Sequence, residues 1–275
     1  MQFSYAFISI SIVITVLYSN PVDSKQSIQT QLDSLLHTKN PQEKGLEISK
    51  AFEHYNNGFR GEYGKMQLVI MNAQNDKVAR IMTQKIIEVP GEGDRSIIEF
   101  ESPADVRGTK LLTHTMKTAK NKQWLYLPSI KRVKRINSRN QAVSFMGSEF
   151  YYEDLASQEV EKYKHTFLRS ETYQDRLCFL LERKPTDKHS GYQKIHVWLD
   201  QEYYAPLKID YFDRKGELLK TAIFSEYKQH SKWWRQNKIV MSNHQTSKQS
   251  IIVWTDQKLD KLYNSDEFLK RSLKN

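Results

Sequence analysis

The sequence predicts a mainly β protein (α+β): a long antiparallel meander of about eleven strands, strongly curved and wrapped round helices. Three observations carry this. From Phe59 onward the apolar residues recur with a period of two, the spacing of a strand with one buried face. Apart from the interval 137–162 the connections between these runs are short and polar, and none carries a helix-length apolar pattern, so a parallel βαβ sheet is excluded. Fifteen Tyr, twelve Phe and five Trp against only ten Gly suit strands that carry large flat side chains.

Taken in order, the chain opens with an uncharged apolar run, YAFISISIVITVLY (5–18), followed by SNPVDSKQ. The run is short for a bilayer span, which needs about 20 residues. It suits the centre of a secretory signal, with Val22 and Ser24 as the small residues before a cut at Lys25. No Lys or Arg precedes the run, and no cysteine lies near the cut, which excludes a lipid-anchored lipoprotein. The expectation is a signal peptide at 1–24, a single domain at 25–275, and export. Cleavage removes one acid, Asp23, and leaves the mature chain at 42 − 31 = +11.

Ile28, Leu32, Leu35 and Leu36 then stand at helical spacing over 26–38, and Asn40-Pro41 interrupts them. A second helix is expected over about 42–56, with Leu46, Ile48, Phe52 and Tyr55 on one side. Strands follow at 66–71, 78–89, 96–100, 109–117, 122–128 and 131–136. After an interval come 163–169, 176–184, 192–200, 206–213, 217–227, 237–243 and 250–255. NAQND and PGEGD (90–94) are turn material. KQHSKWWRQ reads as a polar connection, and SDEFLKRSL as a closing helix capped by Ser265.

Charge is distributed unevenly. Residues 106–148 contain ten Lys or Arg and no Asp or Glu, so the net +10 of the whole chain lies in this window and the remainder balances at 32 against 32. Trp124, Tyr126, Phe145 and Met146 are threaded among these charges. Such a stretch suits a partner that is both anionic and apolar. On a strand, Lys131, Val133 and Arg135 face one way and Arg132, Lys134 and Ile136 the other. That pattern fits either a solvated edge strand whose charges block aggregation or a face for anionic head groups or an acidic protein. Export argues against nucleic acid as the partner.

The usual signatures of catalysis are missing. The eight His are scattered without HExxH or a Cys–His cluster, and no GxSxG, Walker or GxGxxG motif occurs. Glu149, Glu153 and Asp154 could bring carboxylates together, but surface acids on a short helix are the commoner arrangement, and no second catalytic group supports them. The expectation is a protein that is not an enzyme, with no catalytic residues, no metal and no cofactor. Cys178, the single cysteine, lies among Leu177, Phe179 and Leu180 and reads as a buried, inert thiol.

ESPADVRGTKLLTH (101–114), QWLYLPSIKRVKRI (123–136) and SFMGSEFYYEDL (144–155) resemble the signature of the outer-membrane lipoprotein-sorting protein family, relatives of the LolA and LolB carriers. GDRSIIEF (93–100), SGYQKIHVWLD (190–200) and YYAPLKIDYFDRKGELLKT (203–221) extend the resemblance, which runs from about residue 45 to the end. It implies an unclosed antiparallel β-barrel, a half-barrel whose helices cover an apolar cavity. It also implies a periplasmic chaperone-like carrier that shields acyl chains of a lipoprotein or lipid, with an exporter of the RND type as a possible partner. The alternative is an adaptor that docks on such an exporter through its basic face and carries nothing.

Candidate residues follow from both lines. Trp124 and Tyr126, or Leu125 and Leu127 on the alternate face, are expected to line the cavity, with Phe145, Met146 and Phe150 at its mouth or lid. Arg107, Lys131, Arg132, Lys134 and Arg135 are expected to contact head groups or a partner, since guanidinium binds phosphate and carboxylate in bidentate fashion.

Overall fold

In a computed structural model of the protein, residues 40–274 are described. The expected signal peptide and the first helix, 26–38, lie outside them. The chain enters through α1 (Pro41–Asn56), whose start follows from its sequence. Asn40 caps it, its side chain accepting from the Glu43 amide at 2.9 Å, and Pro41 occupies the first turn, where no amide hydrogen is needed.

Six strands follow: β1 (Gly61–Met71), β2 (Lys77–Ile87), β3 (Arg95–Ser102), β4 (Lys110–His114), β5 (Lys122–Leu127) and β6 (Arg132–Ile136). A second series comprises β7 (Tyr163–Tyr173), β8 (Arg176–Pro185), β9 (Lys194–Asp200), β10 (Ala205–Phe212) and β11 (Leu218–Ser225). It ends with β12 (Lys228–His230), β13 (Trp233–Arg235), β14 (Lys238–Asn243) and β15 (Gln249–Leu259). Thirteen of them form one antiparallel sheet in the order β6-β5-β4-β3-β2-β1-β15-β14-β11-β10-β9-β8-β7. All thirteen runs marked out in the sequence are strands of this sheet, two more than the expected total of about eleven. KQHSKWWRQ, expected to be a connection, forms the separate hairpin β12-β13.

This order has a consequence for the site. The first six strands meander outward from the middle to one edge, and β7 begins at the other. The two edges do not pair, so the barrel is unclosed. The connection 137–162 must therefore cross from edge to edge, and it does so over one face of the sheet. Phe145, Phe150 and Tyr152 from this segment enter the same buried cluster as residues of α1, β1–β5, β8–β11, β14 and β15. A single core shared by strands from almost the whole sheet means that the sheet wraps round α1 and the crossing segment.

α1 lies close on β7. A Cβ on Gly45 would stand 2.7 Å from the Phe167 amide nitrogen and 2.8 Å from the Thr166 backbone, so only glycine permits this approach. Further along, Ser49 meets buried His165 at 2.8 Å, and Phe52 and Tyr55 pack on Tyr204. The outer face of β3–β6 is covered by the C-terminus: Phe268 and Leu273 pack with Leu112, flanked by Trp124, Tyr126 and Val133. The expected closing helix is instead two 3-10 turns, Ser265–Phe268 and Lys270–Lys274, and Asn264 rather than Ser265 supplies the cap by accepting from the Asp266 amide. A helix there would turn one of these two anchors away from the sheet.

Candidate functional site: an apolar cavity beneath a crossing segment

Between the wrapped sheet, α1 and the crossing segment lies a cavity of about 480 Å³, within the roughly 300–1,000 Å³ typical of small-molecule sites. Alternation along the strands selects its wall. Met66 and Leu68 of β1, Met82 and Ile86 of β2, and Ile252 and Trp254 of β15 face inward. Thr83 and Lys85, between the inward residues of β2, border a separate hollow on the outer face. Phe52 of α1 and Phe145, Phe150 and Leu155 of the crossing segment close the other side.

The sequence-based candidates divide between the two faces. Phe145 and Phe150 line the cavity as expected of a lid. Met146 packs partly buried against the core, at a left-handed φ of 52°, and its carbonyl accepts from the Arg80 guanidinium. Trp124 and Tyr126 lie on the opposite face, where Trp124 stands edge-on to His114 at 5.1 Å and the C-terminal turns cover them. Leu125 and Leu127 face the core. Both faces of β5 are apolar, so its own pattern offers no choice. The C-terminal residues Phe268 and Leu273, which need an apolar surface to rest on, decide it.

The wall residues on β1, β2 and β15, and the acids at the rim, were not among the sequence candidates. Their signal was the inward alternation of three adjacent strands, legible only once their pairing is known. At the rim, Lys117 pairs with Glu53 at 3.4 Å, Arg235 with Glu62 at 3.1 Å, and Ser157 donates to Asp94 at 3.2 Å. Burial, and then the neighbouring Asp94 and Glu53, push the Glu159 carboxyl up to about 7; burial pushes Asp94 to about 6. Carboxylate oxygens of Glu53, Glu159 and Glu161 lie within 4.8 Å of one another, a spacing that could hold a cation. Lys117 already contributes positive charge to that group.

The crossing segment is pinned by a buried cation. Lys220 on β11 is wholly inaccessible; its Nζ donates to the Glu149 carbonyl and the Asp154 carboxylate, each at 2.7 Å, and sits 3.7 Å from the Tyr151 ring centroid. Asp154 also accepts from the Tyr151 amide and the Tyr192 hydroxyl, both at 2.7 Å. Glu153 accepts from Ser190 and Gly191, and burial, with Asp154 beside it, pushes its carboxyl up to about 7. The acids Glu153 and Asp154, expected on the surface of a short helix, are therefore interior fasteners on a 3-10 turn (Tyr152–Leu155).

The basic window behaves differently. Lys110 reaches Glu99 at 3.8 Å and Lys117 reaches Glu53. The remaining eight cations, Arg107, Lys120, Lys122, Lys131, Arg132, Lys134, Arg135 and Arg139, are exposed and make no ion pair among the described residues. Arg107 instead donates to the Glu101 carbonyl at 2.9 Å. Arg132, Lys134 and Arg135 lie on the edge strand β6, which is paired on one side with β5, and Lys131 precedes it in a left-handed turn.

An unclosed antiparallel half-barrel with a helix and a crossing segment over an apolar cavity defines a LolA-like fold. The chain belongs to the outer-membrane lipoprotein-sorting protein family. It is similar to an outer membrane lipoprotein-sorting protein domain from Vibrio parahaemolyticus, with 44% identity and a TM-score of 0.83 over 85% of this chain and 100% of that one. A DUF1329 family protein from Desulfovibrio piger shares the fold at 23% identity, with a TM-score of 0.81 over 86% of this chain and 100% of that one. So does a LolA superfamily protein from Nitrosomonas europaea, at 20% identity and a TM-score of 0.65, over the same shares. A family profile described as "-like: Uncharacterized protein" matches residues 92–275. No curated protein matches the chain. Among the described residues, no helix is long and apolar enough to cross a membrane.

Proposed function

We propose that the protein, exported with removal of residues 1–24 and acting as a single domain over 25–275, is a periplasmic carrier. It shields the acyl chains of a lipoprotein or lipid during transfer between membranes, in concert with an RND-type exporter. The observation that carries this is the cavity: about 480 Å³ walled by methionine, leucine, isoleucine and aromatic side chains beneath a segment that lies across it. Each methylene moved from water into such a wall gains about 0.8 kcal/mol, so ten would contribute roughly 8 kcal/mol before ordering costs. The kinship with a lipoprotein-sorting domain supports an acylated cargo. No covalent step is needed; a partner that changes the cavity's affinity suffices for loading and release.

The test is native mass spectrometry with solvent extraction of protein purified from the periplasm without detergent, followed by titration with a fluorescent fatty acid. A stoichiometric lipid or acylated peptide is expected. Ile86→Trp, which fills part of the half-buried wall, is expected to lower uptake at least tenfold with the fold retained. A protein that is empty and takes up no probe overturns the carrier.

The eight unpaired cations favour a second reading, a docking adaptor that carries nothing. Arg132→Ala with Arg135→Ala separates the two. Lost exporter binding with lipid content retained favours the adaptor, and lost lipid content favours the carrier. Phe145, Phe150 and Met146 serve in this proposal as the lid, and Arg107, Lys131, Arg132, Lys134 and Arg135 as the face for head groups, a membrane surface or the exporter.

A further inference from the structure

The cavity has an apolar body and an acidic mouth. Met66 pairs with Met82 in mid-strand, whereas Glu62 on β1, and Glu88 and Asp94 between β2 and β3, gather at one end of the strands. Six carboxylates line the cavity and only two cations do, in a chain that is +10 overall. Most of these acids are answered. Glu53 pairs with Lys117, Glu62 with Arg235 and Asp154 with buried Lys220. Glu88 accepts from the Gly58 and Arg60 amides at 2.7 and 3.1 Å, and Asp94 accepts from the Ser157 hydroxyl. Glu159 is the exception. Its side chain makes no hydrogen bond or ion pair among the described residues, although the residue is only 7% exposed. It lines the cavity, and neither of its oxygens is sealed off. A carboxylate buried without a partner carries a penalty that proteins rarely retain. Burial and the neighbouring acids hold its carboxyl up at about 7, and a cation beside it would return it toward the ordinary range.

Two features select the cation. An ammonium already sits among these acids: Lys117 Nζ is 3.4 Å from Glu53, which has a carboxylate oxygen within 4.8 Å of one of Glu159. The lysine charge opposes a dication more strongly than a single positive charge. The acid also opens onto an apolar cavity, which an alkyl chain uses and an inorganic ion does not.

We propose that Glu159, with Asp94 beside it, is the counter-charge for an ammonium head group. The inference rests on the carrier reading and deepens it: the cargo is an amphiphile whose chain lies in the cavity and whose polar end is an amine. The ammonium donates to the Glu159 carboxylate, a charge-assisted bond in a site partly withdrawn from water. Such a bond changes affinity about ten- to a hundredfold.

The experiment compares dodecylammonium with dodecanol, chains of equal length, each displacing the neutral dye N-phenyl-1-naphthylamine from protein purified from the periplasm. Low salt and about pH 8 keep Glu159 ionised and its attraction unscreened. The wild type is expected to bind the ammonium about ten- to a hundredfold more tightly than the alcohol. The net charge of +10 opposes that order, so the preference has to come from the mouth. Glu159→Gln is expected to cut the ratio at least about fivefold. Glu159→Lys, which tethers an ammonium in the ligand's place, is expected to abolish the preference. Equal affinity of wild type for both amphiphiles overturns the proposal and leaves the carrier intact, and so does a ratio that Glu159→Gln leaves unchanged. Calcium chloride binding that Glu159→Gln abolishes, without any preference for the ammonium, overturns it in favour of a metal site. If the dye does not bind, or neither amphiphile displaces it, the carrier and this inference fall together.

Discussion

Replacing Lys220 by methionine tests whether the crossing segment is held down by its buried cation. The methionine fills similar space, so the change is chiefly electrical. It strands Asp154, whose side chain is only 4% exposed, without its counter-ion, and it removes the donor to the Glu149 carbonyl. Removing one partner of a buried pair costs about 3–5 kcal/mol, because the remaining charge is uncompensated. Asp154→Asn alone keeps an oxygen for the Tyr192 hydroxyl but turns an amide group toward either the Tyr151 amide or Lys220. Combining Asp154→Asn with Lys220→Met removes both charges and spares most of the penalty. The double variant should therefore be at least about 2 kcal/mol less destabilised than the sum of the single changes. Urea denaturation followed by tryptophan fluorescence measures the four proteins. Hydrogen exchange should show protection lost first over 144–155, since Lys220 and Asp154 both act on that segment. Additive effects within about 0.5 kcal/mol would refute the reasoning, because they would mean that the two groups do not sense each other.

Gly45→Ala places a methyl group against β7 backbone, which cannot yield as a side chain would, and α1 must shift; the expected loss is about 1–3 kcal/mol with a lowered midpoint in thermal melts. A second prediction concerns pH. In the folded protein Asp94 and Glu159 titrate near 6 and 7, above the ordinary carboxylate values of 3.8 and 4.5, so the native state holds protons that the unfolded chain has released. Their contribution is full below about pH 4 and is lost as pH rises through about 7. His165 acts in the opposite sense, pushed down to about 4 by burial and the Arg183 charge, so its share is present above 6.5 and lost toward pH 4. The difference between wild type and Glu159→Gln isolates the first effect, and the variant's stability should fall less from pH 5 to pH 8; parallel profiles would sink the assignment. Cys178, fully buried and with its thiol pushed up to about 12, should react with a thiol reagent at pH 8 only after unfolding, and rapid labelling of the native protein would contradict this burial.

The strands were legible because each advertises itself locally. A period-two apolar pattern bounded by short polar turns needs no partner to be recognised, and every one of the thirteen expected segments forms a strand of the large sheet. The Asn40-Pro41 cap of α1 is local in the same sense. Phe145 and Phe150 stood out because a segment that rich in apolar residues is unsuited to an ordinary loop. The concentration of positive charge in 106–148 is likewise a property of sequence alone. Tertiary structure decided what depends on two distant segments at once. Trp124 and Leu125 are neighbours on a strand that is apolar on both faces, and only the docking of Phe268 and Leu273 assigns one to the outside and the other to the core. Asp154 appeared as a surface acid because its counter-ion, Lys220, is supplied from 66 residues away. The cavity wall is likewise assembled from β1, β2 and β15, strands that become neighbours only when the last strand of the chain pairs with the first. A residue's own periodicity records how often it meets the interior, whereas the identity of what it meets is set by pairing across the sheet.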